Sequence, residues 1–275
     1  MSEGLASGEP FGPYEIQERI GEGGMGVVYR AVRGGEAVAL KVMRAELRDD
    51  RGFVRRFARE ARAARDVQHP GLVTVMDTGE VGGVPYIVSP FMAGGSLRDS
   101  LMRRGPADLV VLADWTTEIA AALDHLHEAG FVHRDIKPEN VMLDDDGRAR
   151  VGDFGLARGD AYSVLTRPGQ VMGTVEYLAP ELAKGRPADA ASDRYAFACL
   201  LYELVTGEAP FAGPDAISVI RQHLDAEPPD ASVVRAEVPQ ALAFTLKQGL
   251  DKDPDRRPRT AVTMAAAVRL AVGSA

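Results

Sequence analysis

The segment His133-Arg134-Asp135-Ile136-Lys137-Pro138-Glu139-Asn140 decides the fold, and Asp153-Phe154-Gly155 begins thirteen residues after its last residue. Each segment reads as a loop that follows an apolar strand or helix. Together the two loops bring two carboxylates, one amide and one ammonium group close to a single point. Neighbouring carboxylates repel each other unless a positive charge lies between them. A metal ion that carries a polyphosphate meets this requirement, so the sequence predicts a site for such a ligand.

The glycine-rich segment Gly21-Glu22-Gly23-Gly24-Met25-Gly26 predicts a hairpin that can approach phosphate groups. The pattern Gly-x-Gly-x-x-Gly is not specific by itself, since in dinucleotide-binding units it opens a helix. Here Val27, Val28 and Tyr29 follow, and β-branched and aromatic residues favour a second strand. Glycine has no Cβ atom, so the backbone of this turn can come close to phosphate oxygens. Taken alone, the segment is equally consistent with a plain glycine-rich hairpin.

Lys41 and Glu60 are candidate partners on the next two predicted elements. Lys41 lies in the apolar strand pattern of residues 36–42, where a lone lysine more often belongs to a solvated face. Residues 51–67 predict a helix, because their apolar residues recur at helical spacing. The apolar stripe consists of Phe53, Phe57, Ala61 and Ala64. Glu60 borders this stripe, and a surface salt bridge is its simplest interpretation in isolation.

In their order and spacing, these motifs resemble those of the eukaryotic-like (Hanks-type) serine/threonine protein kinases of bacteria. Val28 completes the glycine hairpin motif, and Val38-Ala39-Leu40-Lys41 is similar to the Val-Ala-Ile-Lys motif. The catalytic loop differs from the family pattern only in Ile136, which stands in place of leucine. The Ala-Pro-Glu motif is present at residues 179–181. The resemblance covers about residues 14–271, which is nearly the whole chain.

The resemblance implies an α+β, bilobal protein-kinase fold. The small lobe is expected to contain five antiparallel strands and one main helix, with two of the strands at residues 72–77 and 86–89. The large lobe is expected to be mostly helical. The expected parts are a flexible tail at residues 1–13, a small lobe at 14–88, a hinge at 89–95 and a large lobe at 96–275.

The resemblance also implies transfer of the γ-phosphoryl group of ATP to serine or threonine hydroxyls of protein substrates. The implied catalytic residues are Asp135, Lys137, Lys41, Glu60 and Thr174. The implied ATP-binding residues are Gly21, Glu22, Gly23, Gly24, Met25, Gly26, Val28, Ala39, Lys41, Pro90, Met92 and Asn140. Asn140 and Asp153 are the implied ligands of Mg²⁺, a hard cation that prefers oxygen ligands, with Mn²⁺ as the alternative ion.

Each charged group has a distinct role in this family pattern. Asp135 accepts or orients the proton of the substrate hydroxyl, and Lys137 offsets the charge that grows on the transferred phosphoryl group. Lys137 also favours serine or threonine over tyrosine as the acceptor. The Glu60–Lys41 ion pair aims the lysine at the α- and β-phosphates. Thr174 is expected to support Asp135 and Lys137.

The hinge departs from the usual pattern, because Pro90 follows the small gatekeeper residue Ser89 and has no backbone N–H. The resemblance implies that the Pro90 carbonyl and the Met92 backbone contact adenine.

Two further expectations concern residues that support the site. The resemblance implies that Asp193 braces the catalytic loop and that Arg257 pairs with Glu181.

Composition limits the other classes of function. The net charge of −8 argues against a nucleic-acid binder, and a single cysteine among 275 residues fits a reducing, cytoplasmic location. No stretch of this chain approaches the roughly 20 apolar residues of a membrane-spanning helix, and the first residues do not resemble a signal peptide. The resemblance leaves open a homodimer that forms through the small lobes.

Two alternatives and one regulatory hypothesis follow from the same motifs. A pseudokinase that binds nucleotide or acts as a scaffold would keep this fold, and the altered hinge is its only support. A small-molecule phosphotransferase would share the catalytic Asp and Asn, but generally lacks Arg134 and the peptide-docking segment at residues 173–181.

In many members of the protein kinase family, the arginine at the position of Arg134 binds a phosphate on the activation loop. We therefore expect autophosphorylation at Thr166, with Ser163 as the second candidate.

Overall fold

The small lobe is built on one antiparallel sheet whose strands are mostly joined by short turns. The computed structural model describes residues 4–23, 26–153 and 175–273. Within them, the strands of this sheet are Pro10–Phe11 (β1), Tyr14–Glu22 (β2), Gly26–Arg33 (β3), Glu36–Met43 (β4), Asp77–Val81 (β5) and Val84–Pro90 (β6). They lie in the order β1-β2-β3-β4-β6-β5, and every neighbouring pair is antiparallel.

Strand β4 shows how the two faces of the sheet differ. Val38, Leu40 and Val42 are buried in an apolar cluster with aromatic residues of β1, β2, β3 and β6. Ala39 and Lys41 alternate with them and are only half-buried. Because successive side chains of a strand point to opposite faces, Lys41 lies on the face away from this aromatic cluster.

The main helix of the small lobe, Arg51–Asp66 (α1), packs on the second face of the sheet. Phe57 and Ala61 form an apolar cluster with Met43 and Ile87, which come from β4 and β6. The predicted helix and its apolar stripe are confirmed at these positions. The side chain of Phe53 lies outside the described part of the chain.

Two details of the small lobe differ from the sequence prediction. Residues 1–13 are not a tail throughout, because Pro10–Phe11 pairs with β2 and Phe11 is only 5% exposed, which makes the sheet six-stranded instead of five-stranded. The strand expected at residues 72–77 begins only at Asp77. The N–H of Val73 instead donates to the Val151 carbonyl at 2.9 Å, so this segment attaches to the large lobe.

The large lobe is mostly helical in the described ranges. Its helices are Leu97–Arg104 (α2), Leu109–Glu128 (α3), Pro180–Ala183 (α4), Ala190–Thr206 (α5), Ala216–Asp225 (α6), Ala231–Val234 (α7), Gln240–Gly249 (α8) and Ala261–Gly273 (α9). A two-stranded antiparallel ribbon consists of Val141–Leu143 (β7) and Ala149–Val151 (β8). Short 3-10 helices lie at Ala45–Leu47, Pro138–Asn140, Val175–Tyr177 and Pro254–Arg256.

Capping residues determine where two of these helices begin and end. Ser96 and Asp99 form a reciprocal capping box at the start of α2. The side chain of Asp189 accepts two backbone N–H groups at the start of α5. Helix α5 ends at Gly207, whose φ of 93° is left-handed and therefore suits a residue without a Cβ atom.

Helix α5 forms the centre of the large-lobe core. Its side chains are buried nearly all round, and Tyr195, Phe197 and Cys199 have no exposed surface. They pack in one apolar cluster with residues of α3, α8 and α9. The α+β architecture is thus confirmed, with an antiparallel sheet in one lobe and a helical core in the other. Among the described residues, no helix combines the length and the apolar character that crossing a membrane requires.

A buried ion pair connects the start of α4 to the segment before α9. Arg257 donates from Nη1 and Nη2 to the two carboxylate oxygens of Glu181, both at 2.8 Å, and its side chain has no exposed surface. Burial alone would raise the pKa of Glu181, but the bonds from Arg257 hold that pKa below its ordinary value. The pairing expected between these residues is therefore confirmed.

Arg257→Ala is expected to lower the free energy of unfolding by about 3–5 kcal/mol, because it leaves the Glu181 carboxylate buried without its cation. Arg256→Ala is the matched control, since the side chain of Arg256 is 74% exposed. The control should change stability by less than about 0.5 kcal/mol. Urea unfolding at pH 7 measures both variants, and equal stability of the two would contradict a structural role for the buried pair.

Candidate active site

The catalytic loop holds Asp135 between a lysine and an amide. Lys137 Nζ lies 2.9 Å from Asp135 Oδ2, and Asn140 Nδ2 donates to the same oxygen at 2.8 Å. The same amide group donates to the Asp135 carbonyl at 2.7 Å and so closes the loop on itself. The side chain of Asp135 remains 42% exposed, which leaves the carboxylate accessible to a substrate hydroxyl.

Lys41 crosses from the small lobe to the large lobe. Its Nζ lies 2.7 Å from Asp153 Oδ1, and the two side chains are 15% and 45% exposed. Desolvation alone would raise the pKa of Asp153, but the charge of Lys41 and its hydrogen bond hold that pKa below its ordinary value. The carboxylate is therefore ionised at neutral pH and can bind a cation.

His133 connects the catalytic loop to the residue that precedes Asp153. Its ring is fully buried, with Nδ1 accepting the N–H of Asp135 at 3.2 Å and Nε2 lying 2.8 Å from the Gly152 carbonyl. These two contacts fit a neutral imidazole that carries its proton on Nε2. The N–H of Gly152 also donates to the Asn140 carbonyl at 2.8 Å. The imidazole and this backbone bond together fix the separation between the two loops.

Asp193, at the start of α5, binds the backbone of the catalytic loop. Its carboxylate accepts the backbone N–H groups of His133 at 2.7 Å and Arg134 at 2.8 Å, and it is 1% exposed. The ring Nε2 of His127 lies 2.8 Å from the same carboxylate. The bracing role expected for Asp193 is confirmed by these contacts.

The two loops carry backbone strain where the functional residues lie. Arg134 has a φ of 70° and Asp153 a φ of 56°, and both are non-glycine residues in the left-handed region. Such a conformation persists only when the surrounding contacts determine it, at about 1–3 kcal/mol each. The N–H of Arg134 donates to Asp193, and the ammonium group of Lys41 donates to Asp153, and these bonds provide such contacts.

The glycine hairpin is confirmed on both sides of its tip. Gly21 pairs with Val28 across β2 and β3, and the N–H of Gly23 donates to the Gly26 carbonyl at 2.9 Å. A Cβ atom on Gly26 would lie 2.7 Å from the Val42 carbonyl oxygen, so only glycine fits there. A Cβ atom on Gly23 would meet nothing within 4 Å, which leaves that backbone open to a ligand.

Val28, Ala39 and Lys41 lie on one face of the sheet. Val28 is the cross-strand partner of Lys41, and Ala39 precedes Lys41 by two residues on β4. Cross-strand partners and residues two apart share a face. The half-buried apolar side chains next to the ammonium group suit a planar ligand that ends in phosphates.

At the hinge, Pro90 ends β6 and is paired with Val38. The carbonyl of Met92 accepts the N–H of Gly95 at 3.2 Å. A cavity of about 580 Å³ borders residues 90–92 and reaches the turn between β7 and β8. None of the catalytic side chains lines it, so this cavity is distinct from the place where they converge.

The donor set fits Mg²⁺. Asp153 offers a carboxylate, and Asn140 offers an amide oxygen because its amide nitrogen is used by Asp135. No cluster of three or more His, Cys, Asp or Glu side chains that could hold an ion occurs in the part of the chain that the structure describes. Mg²⁺ typically binds through one or two carboxylates together with substrate phosphates, so two protein ligands are sufficient.

Several predicted site residues lie outside the described part of the chain. They are Gly24, Met25, Thr174, Thr166, Ser163 and the side chain of Glu60. The backbone of Glu60 lies on α1, as expected. The predicted ion pair between Glu60 and Lys41 therefore stays a prediction, whereas the contact from Lys41 to Asp153 was not anticipated from the sequence.

Sequence reasoning missed Arg98 as well. Its guanidinium contacts Glu139 at 2.8 Å, Glu203 at 2.6 Å and the Tyr177 hydroxyl at 2.9 Å. These partners are 41, 105 and 79 residues away along the chain. No local pattern around an arginine on an amphipathic helix indicates such distant contacts.

The chain matches a family of known proteins over most of its length. The family model described as "Protein kinase domain" matches residues 14–268. A probable serine/threonine-protein kinase of Streptomyces coelicolor is 42% identical over 92% of this chain and 39% of that protein. The serine/threonine-protein kinase PrkC of Bacillus subtilis is 38% identical over 94% of this chain and 40% of that protein. The chain thus spans about two fifths of the length of these relatives.

Solved structures show the same fold. The crystal structure of the Mycobacterium tuberculosis PknI kinase domain has a TM-score of 0.75 and 30% sequence identity, and the match covers 98% of this chain and 100% of that chain. The crystal structure of Rad53 in complex with AMP-PNP has a TM-score of 0.77 at 24% identity, over 92% of this chain and 64% of that chain. At 24% identity, the similarity to Rad53 shows only a shared fold.

Asp193→Asn is expected to lower the free energy of unfolding by about 1–3 kcal/mol, because the amide nitrogen replaces one acceptor and leaves a buried N–H without a partner. Asp145→Asn makes the same chemical change at the exposed turn between β7 and β8 and serves as the control. Chemical denaturation of both variants measures the difference. If Asp193→Asn proved no less stable than the control, the carboxylate would not brace the loop.

Proposed function

Since this chain belongs to the protein kinase domain family, we propose that it transfers the γ-phosphoryl group of ATP to serine or threonine hydroxyls of proteins. One observation carries the proposal. Lys41 from the small lobe reaches Asp153 at 2.7 Å, while Asp135, with Lys137 and Asn140 each within 2.9 Å of its carboxylate, lies on the adjoining loop. Charged groups from both lobes thus converge where a triphosphate and a hydroxyl have to meet.

Each residue of the candidate site has a separate role in phosphoryl transfer, which depends mainly on positioning the reactants and on neutralising charge. Asp135 holds the substrate hydroxyl and accepts its proton as the bond to phosphorus forms. Lys137 lies beside that carboxylate and offsets charge on the transferred group. Lys41 binds the phosphates, and Asp153 with Asn140 would hold Mg²⁺. When bound, the ion neutralises charge on the phosphate oxygens.

The protein substrate class rests on two supports. Lys137 in the catalytic loop is the residue expected of serine/threonine kinases, and its ammonium group lies beside Asp135. The relatives from Streptomyces coelicolor and Bacillus subtilis are named serine/threonine-protein kinases. A pseudokinase would usually lack one of Lys41, Asp135 or Asp153, and all three side chains are present in the described site. No specific contact among the described residues favours that alternative.

Autophosphorylation of the activation loop is the regulatory part of the proposal. Arg134 Nε is buried and has no hydrogen-bond partner among the described residues. A phosphoryl group brings a charge of about −1.5 to −2 and pairs well with a guanidinium group. Thr166, with Ser163 as the second candidate, supplies the hydroxyl.

The remaining expectations stay predictions that rest on the resemblance. These are the choice of Mg²⁺ over Mn²⁺, the adenine contacts of Pro90 and Met92, the cytoplasmic location and a homodimer through the small lobes. The family membership supports ATP and protein substrates in general terms.

Asp135→Asn is expected to lower the rate of phosphoryl transfer to a generic protein substrate by roughly 10²–10⁴-fold, because an amide accepts no proton from the hydroxyl. ATP binding should be largely kept, since the oxygen of the new amide can still accept the bond from Asn140. Radiolabelled γ-phosphate transfer measures the rate, and nucleotide-induced thermal shift measures binding. Asp146→Asn, at an exposed turn, is the control. Normal transfer by Asp135→Asn would show that another group acts as the base.

Incubation of the wild-type protein with ATP is expected to add phosphate within residues 156–174, with Thr166 as the main site. The Asp135→Asn variant should gain none under the same conditions, because the modification depends on the catalytic carboxylate. Peptide mass spectrometry of both proteins locates the phosphate. Absence of phosphate from that segment in the wild type, alongside activity on a protein substrate, would remove the autophosphorylation hypothesis alone.

A further inference from the structure

Arg30, on β3, contacts the hinge between the two lobes. Its guanidinium carbon lies over the ring of Phe91, 4.9 Å from the ring centre. Phe91 is the first residue after β6, and β6 is the last strand of the small lobe along the chain. The contact therefore ties the sheet of the small lobe to the segment that leads into the large lobe.

The side chain of Arg30 lies on the face of the sheet that carries Lys41. Arg30 pairs with Ala39 across β3 and β4. The next pair on the same face is Val28 with Lys41. Cross-strand partners and residues two apart on a strand share a face. The arginine that contacts the hinge is thus part of the same surface as the ammonium group of the candidate site.

The ring of Phe91 is held by a cation and not by an apolar core. None of the apolar clusters that the described residues form includes Phe91 or its neighbour Met92. The cavity of about 580 Å³ lies along residues 90–92. Because apolar packing does not fix this ring, the guanidinium group of Arg30 is the contact that orients it.

The hinge is attached to the rest of the protein by backbone contacts near both of its ends. Pro90 pairs with Val38 where β6 ends. Towards the other end, the N–H of Leu143 donates to the Gly95 carbonyl at 2.8 Å. Residues 91–93 lie between these two attachments. A side-chain contact to this middle part therefore affects the direction that its backbone takes.

The surroundings of Arg30 favour the ring contact over an ion pair. Its Nε atom is buried and has no hydrogen-bond acceptor among the described residues. Its Nη1 atom lies 3.5 Å from Glu18 Oε1, and the side chain of Glu18 is 60% exposed. An ion pair with such an exposed carboxylate contributes little free energy, whereas a cation over an aromatic face contributes more as it is desolvated. The contact with Phe91 is thus the stronger of these two interactions.

Building on the proposed function, we infer that Arg30 is a positioning residue for the nucleotide base. By orienting Phe91, the guanidinium group holds the backbone of Met92 in the direction in which it binds the base. The phosphates bind at Lys41 instead, so Arg30 affects the affinity for the base and not the transfer step. If only a fraction of the molecules has the competent hinge, the apparent dissociation constant rises by the inverse of that fraction.

Arg30→Ala tests the inference with three ligands, which are adenosine, ATP with Mg²⁺, and inorganic tripolyphosphate. The variant should raise the dissociation constant of adenosine and the KM of ATP by about three- to tenfold, because the cation–π contact is lost. Both kcat and the dissociation constant of tripolyphosphate should stay within about twofold of the wild-type values, since neither depends on the base. Calorimetric titration measures binding, and transfer of radiolabelled γ-phosphate to a generic protein measures KM and kcat.

Arg33→Ala is the matched control on the same strand. The guanidinium carbon of Arg33 lies over the ring of Tyr14, 5.5 Å from the ring centre, and Tyr14 belongs to β2 and not to the hinge. The control therefore removes the same charge and the same kind of contact without changing the hinge. It should leave the dissociation constants of adenosine and tripolyphosphate at their wild-type values.

Two substitutions of Phe91 test the contact from its other side. Phe91→Leu removes the ring and should weaken adenosine binding as much as Arg30→Ala does. Combining Phe91→Leu with Arg30→Ala should cause no further loss, because both changes remove the same interaction. Phe91→Tyr keeps an aromatic face under the guanidinium group and should bind adenosine about as tightly as the wild type.

The outcomes separate the positioning role from the proposed function. Unchanged adenosine affinity in folded Arg30→Ala protein, an equal loss for adenosine and tripolyphosphate, or unfolding of both Arg30→Ala and Phe91→Leu would overturn the positioning role. If Arg30→Ala alone does not fold, the same comparison of ligands is decided with Phe91→Leu. A wild type that binds adenosine but transfers no phosphoryl group would contradict the proposed function alone, and one that binds no adenosine would contradict both. A loss confined to ligands that carry the base, and not deepened in the double variant, would establish the role.

Discussion

The buried carboxylate of Asp193 is the interaction on which the site depends. It binds the backbone of His133 and Arg134 and so holds the catalytic loop on helix α5, the helix at the centre of the large-lobe core. Because the brace acts on the backbone, it maintains the left-handed conformation of Arg134 whatever the side chains bind. The positions of Asp135, Lys137 and Asn140 are therefore set by the core of the large lobe.

The second loop is placed by contacts from two directions. His133 and the Asn140 carbonyl bind Gly152, which sets the distance of Asp153 from the catalytic loop. Lys41 then binds Asp153 from the sheet of the small lobe. The ion pair between the lobes is partly exposed and thus exchangeable, which suits the proposed entry of a polyphosphate and a cation between these two charges.

Arg98 is a second side chain that connects the catalytic loop to the core of the large lobe. It connects the catalytic loop, the core helix α5 and the segment that precedes α4 through one guanidinium group. The catalytic loop is therefore attached to α5 by a second charged group besides Asp193.

The sequence by itself determined the family resemblance, because that depends on local motifs, and the resemblance implied the bilobal fold and the candidate site residues. Glycines, a strand lysine, a loop Asp and its Asn occur at spacings that only a few arrangements satisfy. Tertiary structure alone decided the pairing of Lys41 with Asp153, the docking of Pro10–Phe11 and the contacts of Arg98. These contacts join residues whose separation along the chain carries no periodicity, and which partner a charge selects depends on the burial and geometry that the whole fold creates.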